Sequence, residues 1–222
     1  MSGLPVYKTR DEINAVVIND NNEPLVEIIE TEKLKINRDS KTMLRKSEFD
    51  AVIDHKIRKT EYGMLVSAAN NLPKGYTLLV LEAFRPYDVQ LERFDAKFAK
   101  LRNEFSSDVS DEEVRRRTRL SIADPRAGAP HQTGGAVDVV VLNEKGESLD
   151  MGTVWAEFNK KTPTHNWMYL TGQQRKNRRL LLGVMEEAGF VNYPGEWWHY
   201  SYGDRAWAAY LGKENAIYGP II

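Results

Sequence analysis

His131 and Asp138 stand at the ends of the run His131-Gln132-Thr133-Gly134-Gly135-Ala136-Val137-Asp138, and Glu196-Trp197-Trp198-His199 follows downstream. These residues offer two imidazoles and a carboxylate to a metal ion, with a second carboxylate three residues before the last imidazole. Three protein ligands leave one coordination position for water, and a nearby carboxylate can take that water's proton; this is the makeup of a catalytic zinc site. The chain has no cysteine, so only His, Asp and Glu can hold the ion and no disulfide is possible. A zinc hydrolase is the first reading.

The spacing constrains the elements that carry these groups. His131 and Asp138 are an odd number of residues apart, so one uninterrupted strand would point them to opposite faces. The chain must bend between them, and Gly134-Gly135 supplies the backbone freedom for a turn or bulge. Ala136 to Leu142 then reads as a strand entering a core. Asp138 is followed by apolar residues, and an unpaired carboxylate in such a place is costly unless a cation sits beside it. Glu196 and His199 pose the same odd-offset problem, and Pro194-Gly195 makes an irregular approach to them plausible.

Taken singly, each residue has an ordinary reading: His199 as a satisfied polar group, Glu196 as a surface acid, Arg85 as half of an ion pair. Three separated motifs in one order weigh against coincidence. The blocks Leu81-Glu82-Ala83-Phe84-Arg85-Pro86, His-x-x-Gly-x-Ala-x-Asp and Glu-x-Trp-His, within roughly residues 43 to 203, resemble the zinc D-alanyl-D-alanine peptidases. That group includes lysostaphin-like and hedgehog-like metal domains, and the similarity is greatest to D-Ala-D-Ala dipeptidases of the vancomycin-resistance type. The resemblance implies one zinc held by His131, Asp138 and His199, Glu196 as catalytic base, and Arg85 as the residue that stabilises the developing oxyanion.

Two departures from that pattern bear on the substrate. Family members carry a hydroxyl residue two positions before the first zinc histidine, where this chain has Ala129. Dipeptidases also place an Asp, which grips the substrate's ammonium, where this chain reads Met151-Gly152-Thr153-Val154-Trp155-Ala156-Glu157. Glu157, one residue later, is the candidate substitute, given a shifted backbone. Strand alternation around Trp197 and Trp198 predicts one ring in the core and the other, taken as Trp198, at the pocket rim as a substrate contact. His55 and His165 have no partners at ligand spacing, and Thr133 and Ser201 lack the context of a nucleophile.

Composition sets the broader bounds. With 222 residues, 41% of them hydrophobic, the chain can bury one substantial core, so residues 1–222 are expected to form a single domain with 1–42 as a strand and loop segment packed on it. Thirty-one Lys plus Arg against 32 Asp plus Glu leave a charge of −1, which argues against a general nucleic-acid or anionic-membrane binder. No run has the length of a signal peptide's apolar core or of a membrane span, and cytoplasmic residence is the expectation.

Along the chain, residues 12 to 36 read as strand, polar turn and a second strand pair. Helical spacing over 47 to 73 ends at Pro73-Lys74-Gly75, Thr77 to Phe84 reads as a buried strand, and Pro86 starts a helix over about 87 to 104. The charges of 103 to 119 suit a solvated helical face, and 171 to 189 form an amphipathic helix closed by Gly189. A strand carrying Trp197, Trp198 and His199 follows. The expected class is α+β, a small, mostly antiparallel sheet carrying the zinc site between flanking helices.

The expected reaction is hydrolysis of a small peptide bond, in a free dipeptide of the D-Ala-D-Ala kind. A carboxypeptidase or endopeptidase acting on cell-wall peptides, or a hydrolase of another small amide, shares the chemistry. A zinc-bound interaction domain without turnover is the rival from another class, and retention of Glu196 and Arg85 counts against it.

Overall fold

The computed structural model describes residues 7–38 and 55–222. In chain order the first elements are α1 (Arg10–Asn14), β1 (Val17–Ile18), β2 (Leu25–Glu27), β3 (Leu34–Ile36), β4 (Lys56–Arg58), α2 (Lys59–Asn71) and β5 (Thr77–Glu82). Then come α3 (Tyr87–Glu104), α4 (Asp111–Thr118), β6 (Ala136–Leu142), α5 (Gly172–Glu187), β7 (Val191–Asn192), β8 (His199–Ser201), α6 (Arg205–Leu211) and β9 (Asn215–Ala216). Short 3-10 turns at Pro125–Ala127, Pro130–Thr133 and Trp167–Tyr169 lie between them.

Five strands form the central sheet in the order β3-β5-β6-β8-β7. The α+β expectation holds, but the sheet is mixed rather than mostly antiparallel, because β3 joins β5 in parallel while the other three pairings are antiparallel. β5 and β6 are the central pair, and their residues are buried on both faces. That is why both read as nearly continuous apolar runs instead of alternating ones. Leu78, Leu81, Val137, Val139 and Val141 pack with Leu65, Ala68 and Ala69 of α2 and with Leu181 and Met185 of α5 into the main core. α2 touches both β3 and β5 as well as α5, so this helical layer backs the sheet.

α3 and α5 fall where the sequence puts them. Pro86 sits at the N-cap of α3, and Thr171 with Gln174 forms a capping box on α5. α5 ends at Glu187 with Ala188 as its C-cap, and Gly189 takes a φ of +102°, a backbone that favours glycine at a helix exit. The helix expected over 47 to 73 is shorter: residues 56 to 58 are strand, and 47–54 lie outside the described residues. Pairing of β4 with β2, and hydrogen bonds from Arg58 to Thr133 and Gly219 carbonyls, hold that stretch extended against its helical spacing. The charged stretch 103 to 119 is two helices, since α3 stops at Glu104 and Ser110 caps α4.

A second, smaller apolar cluster joins Trp207 and Ala208 of α6 to Ala216, with Val16 and Ile18 against it. β1 pairs in parallel with β9, tying residues 17–18 to 215–216. Among the described residues no helix is long and apolar enough to cross a membrane.

Candidate active site

The sheet register assembles half of the site. Glu82 on β5 is the cross-strand partner of Asp138 on β6, and Asp138 is the partner of His199 on β8. Residues opposite one another in antiparallel pairs share a face with Cβ atoms about 5 Å apart, so the three side chains form one row. A register shift between Val80 and Glu82 brings Glu82 into that row. His131 arrives from a different element, the 3-10 turn before β6. Gly134 exits that turn at φ +69°, and a Cβ on Gly135 would lie 2.6 Å from the Tyr202 carbonyl oxygen. The odd offset from His131 to Asp138 is therefore absorbed by the Gly134-Gly135 bend that the sequence suggested.

The result is a cluster in which one ligand atom each of His131, Asp138 and His199 lies within 4.8 Å of the others, all three residues being buried. Asp138 Oδ1 is 3.3 Å from His131 Nε2 and 2.9 Å from His199 Nδ1. His131 Nδ1 donates to the Ala83 carbonyl oxygen at 2.8 Å, since a carbonyl only accepts, and so Nε2 faces the centre with its lone pair. Trp155 Nε1 donates to Asp138 Oδ2 at 2.8 Å, which leaves Oδ1 for the centre. Burial raises the Asp138 carboxyl, but the two imidazoles overcome it and hold the group well below the usual carboxylate range. Against its own burial, hydrogen bonding and charge from Asp138 raise the His199 imidazole. Two imidazole nitrogens and a carboxylate oxygen converging in a buried pocket, with the outer His131 nitrogen pinned by a carbonyl, fit a zinc ion and its supporting shell.

Glu196 enters from the turn after Tyr193, where its N–H donates to the Tyr193 carbonyl at 3.0 Å and Pro194-Gly195 provides the irregular approach. Its side chain lines the same cleft as the three cluster residues and Arg85. Burial raises the Glu196 carboxyl; His199 pulls it down and Asp138 pushes it further up. Arg85 donates from Nε to Glu82 Oε1 at 2.8 Å, and from its two terminal nitrogens to Glu82 Oε2 and Gln90 Oε1. Arg93 also meets Glu82, at 2.8 Å. Although burial raises Glu82, the Arg85 and Arg93 guanidiniums bring its carboxyl down to about 2. Three of the five Arg85 N–H donors are committed to these partners, and the rest remain for the cleft.

The substrate-contact expectations divide. Trp198 lines the cleft, while Trp197 donates from Nε1 to Thr153 Oγ1 at 2.8 Å and faces a neighbouring hollow. Both rings are buried and meet edge to face, and both precede β8 rather than belonging to it. Glu157 is not brought to the cleft. It is exposed beside the neighbouring hollow, where its carboxylate accepts from the Val154 N–H and the Asn159 amide in a local turn. Trp155, Ala156 and Phe158 of that loop line the cleft, Ala156 at a φ of +57°, and Ala129 lines it too. His55 and His165 lie outside the cleft lining; the His165 ring is edge-on to Trp167. Thr133 Oγ1 donates to the Pro130 carbonyl and accepts from the Gly135 N–H, a bend-forming role. Sequence reasoning missed Glu82, Arg93 and Arg10 in the cleft. Glu82 was visible three residues before Arg85, but nothing in that spacing tells an ion-pair partner from a strand residue.

A sequence model described as D-ala-D-ala dipeptidase matches residues 43–215. The chain is 30% identical to a D-alanyl-D-alanine dipeptidase of Synechocystis sp., over 62% of this chain and 64% of that one. Against a D-alanyl-D-alanine dipeptidase of Escherichia coli it is 34% identical, over 36% of this chain and 40% of that one. These matches span less than two thirds of the relatives' own lengths. The solved structure of the LdcB LD-carboxypeptidase aligns with a TM-score of 0.46 at 19% identity, over 90% of this chain and 76% of that one.

Proposed function

This chain belongs to the D-Ala-D-Ala dipeptidase family, and on that premise we propose that it hydrolyses the peptide bond of D-Ala-D-Ala-type substrates in a zinc-dependent reaction. The observation that carries the reading is that His131, Asp138, His199, Glu196 and Arg85, from three separate stretches of the chain, line one cleft.

In this reading His131, Asp138 and His199 hold the metal, one ion per chain. Bound there, zinc supplies a Lewis acid that polarises the scissile carbonyl and makes water acidic near neutral pH. Glu196 is the proton carrier: its carboxylate takes the proton of the attacking water and later delivers it to the departing amine. A carboxyl lifted by burial, as that of Glu196 is, makes a stronger base than an ordinary surface acid. Arg85 turns its uncommitted N–H groups to the carbonyl oxygen as negative charge develops there. Glu82 and Gln90 fix the guanidinium so that it need not reorganise during the reaction, and Trp155 fixes Asp138 in the same way. An interaction domain without turnover would have no use for Glu196 or for an Arg85 held this firmly.

The test is Glu196→Gln. It should keep its full zinc content and lose about 10²-fold to 10⁴-fold in D-alanine release, as general-base removal does. Near-wild-type turnover would remove Glu196 from this role.

A further inference from the structure

The charges lining the cleft are unevenly matched. Among its carboxylates, Glu82 is engaged by Arg85 and Arg93, Asp138 lies between the two imidazoles, and Glu196 stands beside them as the proton carrier. Asp204 is buried and caps α6 by accepting from the Trp207 N–H with Oδ1, while its Oδ2 has no hydrogen-bond partner among the described residues. Among the cations, Arg205 donates to the Val16 and Ala127 carbonyls. Arg10 is different. It lines the cleft from α1, half-buried, and makes no ion pair among the described residues; its guanidinium stands 6.0 Å from the centre of the Tyr193 ring.

Arg10 is also held in place. Thr9 and Glu12 close a capping box on α1, and Ile13 on the same helix is buried. The Tyr7 hydroxyl donates to the Pro194 carbonyl at 3.1 Å, two residues before Glu196, and Arg205 grips the Val16 carbonyl at 2.9 Å on the other side of the helix. This segment lies outside the stretch 43–215 matched by the family.

A D-Ala-D-Ala dipeptide carries one ammonium and one carboxylate. The cleft offers that carboxylate the Arg10 guanidinium, which makes no ion pair among the described residues. Resting on the peptidase reading, we propose that Arg10 anchors the terminal carboxylate of the departing D-alanine.

The experiment compares D-Ala-D-Ala and D-Ala-D-Ala amide, each free and N-acetylated, with zinc-loaded wild type, Arg10→Gln and Arg10→Lys. In wild type, amidation of whichever form is cleaved should raise KM by about tenfold or more, the worth of a hydrogen bond to a charged group. Arg10→Gln should raise KM for the acid to that of the amide and leave the amide unchanged, and Arg10→Lys should recover part of the difference. A merely structural role would weaken acid and amide alike, and that result, or no effect on either, overturns the anchor. If wild type cleaves none of these peptides, the peptidase reading itself falls.

Discussion

Arg85 shows why a residue's chemistry depends on what holds it. A guanidinium free in a cleft must give up water and rotamer freedom each time it meets an oxyanion. Here the two-pronged contact with Glu82 and the bond to Gln90 have met those costs in the folded state. Arg85→Lys keeps the charge but loses the planar fork, and turnover should fall by about 10²-fold or more with zinc content unchanged. Full activity would return Arg85 to a purely structural pairing with Glu82. At this scale the sequence was most informative where motif and geometry coincide: His131, Asp138 and His199 do meet. It was least informative for Glu157, because a shift of one residue in an irregular loop turns a side chain from the cleft to solvent. Arg10 was invisible for another reason. Its place depends on where a five-residue helix docks, which no local pattern encodes.

At the scale of elements, the runs that sequence periodicity describes best are those with one dominant environment. β6 is buried throughout, and α3 and α5 each keep a polar and an apolar side, so all three lie close to their expected bounds. Lys56–Arg58 shows the opposite case, where pairing with β2 overrides helical spacing. α2 also carries an anomaly. Glu61 is fully buried, and neither carboxylate oxygen has a hydrogen-bond partner among the described residues. Burial, with Asp204 and Glu23 adding to it, pushes its carboxyl well above 4.5, so the folded protein keeps the proton that the unfolded chain releases above that pH. Stability should therefore fall by about 1.4 kcal/mol per pH unit above 4.5 until the folded group titrates. Glu61→Gln removes this dependence. Urea unfolding at pH 4 and pH 7 should show the variant gaining on wild type only at the higher pH; an equal gap at both would contradict the assignment.

At the scale of the molecule, the helical layer backs the central sheet, and the row Glu82, Asp138 and His199 is presented to the cleft. The α1 and α6 side closes that cleft, and the parallel pairing of β1 with β9 ties residues 17–18 to 215–216. This explains how a site whose parts lie from residue 10 to residue 205 is assembled from short motifs. It also explains why the sequence disclosed the chemistry before the substrate: the three cluster residues sit on strands and a 3-10 turn, whereas Glu157 lies in an irregular loop and Arg10 on a five-residue helix. In the proposed function this cleft hydrolyses D-Ala-D-Ala-type peptides with zinc bound. Its most direct test is D-alanine release from D-Ala-D-Ala, free and N-acetylated, by protein stripped with a chelator and then titrated with zinc. Stripped protein should release no D-alanine, and recovery should saturate at one zinc per chain and be absent in His131→Ala. Release undiminished by stripping, or zinc-saturated protein that frees no D-alanine from either peptide, would contradict it.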